Sequence, residues 1–307
     1  MEAVFTFETN SRWLNCVVVF ILILVVTFLY RKLCPRQKEF FSQTSPFVLR
    51  QDNEIYDSFY LKYYDDLHAT DAYCEDDILL ITETTSPNEN SVFLDIGCGT
   101  GALLEAIEDK GFTAFGVDKS KYMEEACKER LKNTEVSCND VLVDAMLYDS
   151  NTFSHITCTH FSIYEIEKKE TLLKRCFNWL QCGGYFVVHL VDPQTYKKVL
   201  PSLYVNDNNN VTIDKVTKTN LDYNSFKYSG EFKQKDPGFI FTETFTDKFT
   251  ENVRQNQMKL YMESKQTILD MATKCGFIIH RETTYNKSIK DPHQYLVFLI
   301  KPMCGVI

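Results

Sequence analysis

The 307-residue chain predicts an α/β fold: a seven-stranded, mostly parallel sheet with its last strand reversed and helices on both faces. Three observations carry this. From Val92 onward, short apolar runs alternate with amphipathic ones, the pattern of strand–helix repeats that build a parallel sheet. Residues 92–101 read Val-Phe-Leu-Asp-Ile-Gly-Cys-Gly-Thr-Gly, an apolar strand running into a glycine-rich turn ahead of the amphipathic run Ala102–Asp109. At the far end, Phe277–Thr284 and Gln294–Lys301 read as a strand pair that closes the sheet.

Composition bounds the function. At 44% hydrophobic, with 23 Phe and 17 Tyr, the chain can bury a substantial core. A formal charge of −9 argues against a broad nucleic-acid footprint, which needs clustered Lys and Arg. Eleven cysteines are scattered without a C-x-x-C pair, so neither a zinc site nor a disulfide framework is indicated. Cys98, Cys127, Cys158 and Cys176 fall on core or turn positions and read as free thiols.

The chain divides by pattern into five segments. Residues 1–38 form an expected membrane anchor with a basic flank. Trp13–Tyr30 is 18 residues without a charge, enough at about 1.5 Å per residue to span a bilayer core. Arg31, Lys32, Arg36 and Lys38 follow it, which places the rest of a single-pass protein in the cytoplasm. A cleaved signal peptide would carry its basic residues before the apolar run, where this chain has Glu2 and Glu8. Residues 39–90 read as a helical leader, with Tyr56, Phe59, Tyr60, Tyr63 and Tyr64 at helical spacings within Ile55–Leu67. Most of these rings read as core; one or two could roof a cationic ligand through cation–π attraction.

Residues 91–199 carry the alternating core. Thr113–Val117 is the second strand and ends in Asp118; Glu135–Cys138 is the third, followed by Asn139 and Asp140. Ser154–His160 is the fourth strand. Glu167–Gln181 reads as a helix closed by Gly183-Gly184, and Tyr185–Val191 as the fifth strand. Residues 200–263 break the alternation: Ser225–Lys233, Phe239–Phe249 and Val253–Met262 read as an inserted antiparallel unit. Residues 264–307 hold a helix capped by Ser264 and ended by Gly276, then the closing strand pair.

The glycine turn marks a pocket for a nucleoside-containing cofactor. Gly97, Gly99 and Ala102 satisfy the loose dinucleotide pattern, so glycine spacing alone leaves NAD open. Asp95 favours a different ligand, because a carboxylate two residues before the first glycine would repel a pyrophosphate and attract a sulfonium or ammonium group. From Asp95 to Gly101 the stretch resembles motif I, D-x-G-x-G-x-G, of the class I S-adenosylmethionine-dependent methyltransferases, a Rossmann-like family. The resemblance implies that Asp95, Gly97, Cys98, Gly99 and Gly101 shape the cofactor site and that Asp118 accepts from both ribose hydroxyls. It also implies an acid after the third strand for the adenine amine, with Asp140 and Asp144 both available, and Phe161 at the cofactor. S-adenosyl-L-methionine is the implied cofactor.

Ligands in open parallel sheets bind beyond the carboxyl ends of the strands, which points to His160-Phe161-Ser162-Ile163-Tyr164-Glu165 after the fourth strand and to His189 near the end of the fifth. Tyr164, Glu165, His160 and His189 are the candidates to orient or deprotonate an acceptor, although His189 reads equally as a core histidine. The Asp/Asn-Pro-Pro-Tyr/Phe sequence of nucleobase amino-methyltransferases is absent after the fourth strand, which argues against base methylation. The expected activity is methyl transfer to nitrogen or oxygen of a small molecule, in preference to a lipid or protein acceptor. An NAD-dependent oxidoreductase and a catalytically silent, cofactor-binding membrane scaffold are the rival readings.

Overall fold

The computed structural model describes residues 16–26, 43, 45–144, 146–193, 218–235, 238–285 and 291–303. The chain falls into two units, Met1–Ser42 and Gln43–Ile307. In the first, residues 16–26 are helical, and the apolar side chains from Val18 to Val26 are 45–62% exposed. The rest of the expected span Trp13–Tyr30, and the basic residues after it, lie outside the described residues. Among the described residues no helix is long and apolar enough to cross a membrane.

The second unit opens with β1 (Phe47–Gln51), a 3-10 turn, α1 (Ser58–His68) and α2 (Thr70–Thr85). The leader is thus not wholly helical. Strand and helix then alternate: β2 (Val92–Ile96), α3 (Ala102–Asp109), β3 (Thr113–Asp118), α4 (Lys121–Arg130), β4 (Glu135–Cys138) and β5 (Phe153–Cys158). The short α5 (Ser162–Glu165), α6 (Lys169–Trp179) and β6 (Leu180–Val191) complete this half. After β7 (Lys218–Asp222), β8 (Phe226–Gln234), β9 (Phe239–Asp247) and β10 (Val253–Leu260) come α7 (Lys265–Lys274), β11 (Ile278–Tyr285) and β12 (Asp291–Ile300).

Seven strands form the main sheet in the order β11-β12-β6-β5-β2-β3-β4. All pairs from β6 to β4 are parallel, whereas β12 runs antiparallel between β6 and β11, with Gln294 opposite Val191. The closing reversed strand expected from the sequence is present, and a purely parallel dinucleotide-binding sheet has no such strand. Phe93, Leu94 and Ile96 on β2 are buried on both faces, as their unbroken apolar run requires. On one face α3 sets Leu103, Leu104 and Ile107 into a core with Phe93, Ala114 and Val136. Each such aliphatic side chain contributes about 1.5–3 kcal/mol by leaving water. Gly116 on β3 lets α3 come close: a Cβ there would lie 2.6 Å from Leu104 Cδ1.

Two boundaries differ from expectation for physical reasons. Helix α6 stops at Trp179, and the glycine pair lies inside β6, at a register shift against β5. A Cβ on Gly184 would sit 2.9 Å from the Ser154 and Gln181 carbonyl oxygens, so these glycines allow close strand contact rather than ending a helix. Strand β5 stops at Cys158, leaving His160 and Phe161 in the turn beyond it. Cys98, Cys127, Cys158 and Cys176 are buried free thiols, but Cys182 is disulfide-bonded, which the sequence did not announce.

The insertion is a five-stranded sheet, β1-β10-β9-β8-β7, that recruits β1 from the leader in parallel with β10. Its inner face alternates as a half-buried sheet should, with Phe226, Tyr228 and Phe232 on β8 and Phe241, Glu243 and Phe245 on β9 buried. That face packs on α1, where Phe59 meets Phe245 at a ring distance of 5.4 Å and Tyr63 meets Phe226 at 4.8 Å. Asp57 caps α1 by accepting from Tyr60 N and also takes Arg254 Nη1 of β10 at 2.9 and 2.7 Å. Ring contacts and the Asp57–Arg254 pair therefore tie the leader to the insertion.

Candidate cofactor-binding and active site

The glycine turn after β2 is bound tightly to β3. Gly97 N and Cys98 N both donate to Val117 O, at 2.8 and 3.2 Å. Gly97, Gly99 and Gly101 all have positive φ, at 69°, 53° and 86°. Added Cβ atoms at Gly97 and Gly101 would collide with Ser162 Oγ at 2.7 Å and Cys127 Sγ at 2.5 Å. At Gly99 the nearest neighbour would be a Tyr64 ring carbon at 3.9 Å, so the backbone there faces open space.

Two connected lobes surround this turn. The first holds about 610 Å³ of empty space, its solvent mouth included, between Gly97, Gly99, Asp118, Asp140, Tyr56 and Tyr64. Asp118 closes the turn from β3: its two carboxylate oxygens accept from Gly99 N at 3.0 Å and Ser120 N at 2.8 Å. Burial pushes its pKa up to about 6, against those two backbone donors. Asn139 N donates to Asp118 O at 3.0 Å, which brings Asp140 to the same wall. Of the two rival acids, Asp140 lines the lobe; Asp144 does not and instead accepts from Met146 N at 2.8 Å.

Tyr56 and Tyr64 form an aromatic side of the lobe, with ring centroids 6.2 Å apart. The Tyr56 hydroxyl donates to Glu165 Oε1 at 3.0 Å, and Lys119 Nζ lies 3.3 Å from Glu165 Oε2. Burial and then Glu165 push the Tyr56 pKa well up, so the phenol remains the donor. Helix α1 is fixed over the turn by Asp65, which accepts from Thr100 Oγ1 and from Arg130 Nη2, each at 2.6 Å.

The second lobe, about 330 Å³ counted the same way, shares Gly97, Gly99, Ser162 and Tyr64 with the first and adds Asp95, Cys98 and His160. Asp95 is buried and accepts from Thr157 Oγ1 at 2.6 Å. Burial raises its pKa to about 7, opposed by the Thr157 bond and the His160 charge. His160 and Phe161 have φ of 50° and 72°, left-handed backbone at consecutive non-glycine residues.

The structure therefore brings Asp95, Gly97, Cys98, Gly99, Asp118, Asp140, His160 and Glu165 to the cleft, and places Gly101 at the entry to α3. It does not bring Tyr164 or His189 there. Tyr164 is fully buried, its hydroxyl donating to Val191 O at 3.2 Å and accepting from Val191 N at 2.8 Å. His189 is fully buried among Phe161, Tyr285 and Tyr73, with ring centroids at 4.7, 4.9 and 5.7 Å. Burial lowers its pKa to about 3, so it is a neutral core histidine. Phe161 packs on that histidine and lines neither lobe. Ser162, within the stretch expected to face the reacting centre, and Asn139, beside Asp140, also line the cleft, and Lys119 lines it without having been singled out from the sequence.

Comparison with known proteins fits this geometry. Residues 93–184 match the family model described as a methyltransferase domain. Over 123 residues the chain is 26% identical to an uncharacterized methyltransferase of Alkaliphilus oremlandii, covering 39% of this chain and 56% of that protein. Over 95 residues it is 28% identical to the ubiquinone biosynthesis O-methyltransferase of Coxiella burnetii, covering 30% and 39%. The chain thus spans about half or less of the length of these curated relatives. A solved S-adenosylmethionine-dependent methyltransferase from Clostridium acetobutylicum superposes with a TM-score of 0.61 at 20% identity, covering 79% of this chain and 98% of that one. The sugar N-methyltransferase KedS8 from Streptoalloteichus gives 0.59 at 16%, covering 80% and 93%. An amino pentose methyltransferase from Micromonospora echinaspora, solved with S-adenosylmethionine bound, gives 0.56 at 16%, covering 80% and 98%.

Residues 93–184 match a methyltransferase domain, and the second unit has the fold of solved S-adenosylmethionine-dependent methyltransferases. Its cofactor is S-adenosylmethionine. The residues present fit that group: an open backbone at Gly99, a carboxylate at each end of the turn in Asp95 and Asp118, and a flanking aromatic pair.

Proposed function

We propose that the protein transfers the methyl group of S-adenosylmethionine to nitrogen or oxygen of a small-molecule acceptor. The observation that carries this reading is the two-lobed cleft, with Asp118 and Asp95 on either side of one glycine turn and Tyr56 and Tyr64 above it. The cofactor supplies a methyl group already activated on a sulfonium, so the chain has to align an acceptor and exclude water. Gly99 N and Ser120 N fix the Asp118 carboxylate, Tyr56 and Tyr64 shield the cleft, and Glu165 ties the leader to its rim. Of the four residues considered for proton handling, Glu165 and His160 are those at the cleft. The O-methyltransferase name of the Coxiella relative and the sugar N-methyltransferase likeness support small oxygen or nitrogen acceptors.

A thermal-shift panel on the full chain in mild detergent tests the reading. S-adenosylmethionine and S-adenosylhomocysteine should each raise Tm by several degrees, while NAD should not. No stabilisation by either sulfur nucleoside at millimolar concentration would overturn it. The exposed apolar helix at residues 16–26 supports a membrane tether, and the basic residues Arg31, Lys32, Arg36 and Lys38 after it in the sequence support a cytoplasmic catalytic unit, both as part of the same proposal. Release of the protein from membranes by carbonate at pH 11 would sink that part.

A further inference from the structure

One wall of the first lobe is a loop with little of its own to hold it in place. Asp140 and Val141, at the start of this loop after β4, line the lobe, and Val141 is buried. Beyond them Val143 and Met146 are 79% and 85% exposed, so their apolar side chains bury too little surface to fix the chain. The bonds inside the loop are short-range turns. Leu142 N donates to Asp140 Oδ1 at 2.7 Å, Val143 N to Asp140 O at 3.0 Å and Met146 N to Asp144 Oδ1 at 2.8 Å. Such turns set the shape of the loop and not its position against the sheet.

Position comes from anchors outside the loop. Ahead of it, Asn139 N donates to Asp118 O at 3.0 Å. At its far end the Tyr148 ring packs edge-on against Phe153 and Trp179, at 5.0 and 5.2 Å. Between these two points, among the described residues, the hydrogen bonds that reach residues 140–144 from another element come from Arg175 of α6. Its Nη1 donates to Val141 O and, at 2.9 Å, to Asp144 O. Helix α6 is itself fixed, with Leu172, Leu173 and Cys176 fully buried in the core. The guanidinium is planar and its donors point in fixed directions, so two carbonyls on one nitrogen set both the distance and the tilt of the loop. Arg175 lines neither lobe and can act on a ligand only through the loop.

We propose that Arg175 is a positioning residue for base recognition: by holding Val141 and Asp144 from α6, it sets the Asp140 carboxylate where the exocyclic amine of the cofactor's adenine meets it. The inference rests on the cofactor reading above and deepens it. Asp140 Oδ1 is engaged by Leu142 N, which leaves Oδ2 for the amine. A carboxylate accepts and does not donate, so it favours adenine over a base with a carbonyl at the same carbon, as long as the loop keeps it within reach. Asp118 is independent of this arrangement, because its carboxylate is held by Gly99 N and Ser120 N, both outside the loop. Loss of Arg175 is therefore felt at the base.

Two nucleosides separate base recognition from general support of the fold. S-adenosylhomocysteine carries the amine, and S-inosylhomocysteine has a carbonyl in its place on an otherwise identical molecule. In isothermal titration of the full chain, wild type should prefer the adenine compound by about tenfold or more, the scale of one hydrogen bond to a charged group. Arg175→Ala should weaken S-adenosylhomocysteine about tenfold and S-inosylhomocysteine by less than about twofold, which removes most of the preference. Arg175→Lys, which keeps a cationic donor, should recover part of it. A loss for S-inosylhomocysteine as large as that for S-adenosylhomocysteine, or no loss for either, would overturn the assignment while leaving the cofactor reading intact. Equal binding of the two compounds by wild type would do the same. Wild-type protein that binds neither would overturn the cofactor reading and this assignment with it. Should Arg175→Ala fail to fold, the same ratio measured in Arg175→Gln decides.

Discussion

The Tyr60 hydroxyl donates a 2.5 Å hydrogen bond to Glu243 Oε2, joining α1 of the leader to β9 of the insertion across 183 residues of sequence. Glu243 is 1% exposed, and its other oxygen accepts from Tyr228 at 2.9 Å. Burial followed by the Glu243 charge pushes the pKa of both phenols well up, so both stay donors at any physiological pH. Tyr60 also lies between the two cleft aromatics, with ring distances of 6.1 Å to Tyr56 and 5.7 Å to Tyr64. Glu243→Ala would strand the buried Tyr228 hydroxyl and leave Tyr60 with His68 Nε2 at 2.9 Å as its partner, and should cost about 1–3 kcal/mol, read as a lowered urea midpoint. Cofactor affinity should fall with it, because the aromatic roof is loosened. Glu243→Gln keeps an acceptor and should lose less than half as much; equal losses in the two variants would refute the network as the cause.

Asp118 has a structural duty as well as its expected contact with the ribose. Both of its oxygens already accept backbone N–H groups, from Gly99 and Ser120. Asp118→Ala therefore unties the glycine turn and removes the acceptor, and S-adenosylmethionine affinity should drop by about two orders of magnitude, the worth of two charge-assisted bonds. Asp118→Asn retains one good acceptor and should fall between. Titration calorimetry gives the order, and an Asn variant as weak as Ala would show that charge, not bond count, dominates.

The sequence reveals local features and hides those that depend on distant packing. The strand at Val92–Ile96, the turn, Asp118 and the Ser264 cap, which accepts from Thr267 N at 3.1 Å, each follow from neighbours in the chain. The five leader aromatics could not be sorted by periodicity, because α1 is covered on two sides: Phe59, Tyr60 and Tyr63 face the insertion, while Tyr64 and the preceding Tyr56 face the cleft. Strand β1 was missed because its partner β10 lies some 200 residues away, with Phe47 paired to Val253. Tyr164 and His189 have the residue types of catalysis but sit one layer too deep, a matter of depth that strand-end position does not encode. Arg175 carried no signal at all, since only the packed fold sets α6 against the loop after β4.

Gly101 and Gly111 make a paired test of which glycines the site requires. Both have positive φ, 86° and 81°, yet a Cβ on Gly101 would meet Cys127 Sγ at 2.5 Å and one on Gly111 would meet nothing within 4 Å. Gly111→Ala should cost only the left-handed backbone penalty of about 1 kcal/mol and leave cofactor binding unchanged. Gly101→Ala adds a clash beneath the turn and should both destabilise by more than about 2 kcal/mol and weaken S-adenosylmethionine binding. Adding Cys127→Ala should recover part of both losses. A Gly101→Ala protein no worse than Gly111→Ala would show that α4 yields freely and that the close contact does not constrain the turn.

The pH dependence of Asp95 makes two opposite-signed predictions. Its folded-state pKa is raised from 3.8 to about 7, chiefly by burial, so the ligand-free fold holds a proton there that the unfolded chain releases. The associated stability is fully present below about pH 4 and is lost as pH rises through about 7, on the order of 4 kcal/mol at most. Asp118, raised to about 6, acts in the same direction. Asp95→Asn mimics the protonated form and keeps the Thr157 bond. The ligand-free variant should exceed wild type in Tm at both pH 5 and pH 8, and by clearly more at pH 8. Binding of the cationic cofactor reverses the order, because it needs the ionised carboxylate: wild-type affinity should rise from pH 6 to pH 8, and Asp95→Asn should stay weak throughout. Thermal scans with and without S-adenosylmethionine at the two pH values measure both signs. A ligand-free Asp95→Asn protein less stable than wild type at pH 8 would show that the carboxylate stabilises the empty fold, contrary to its burial.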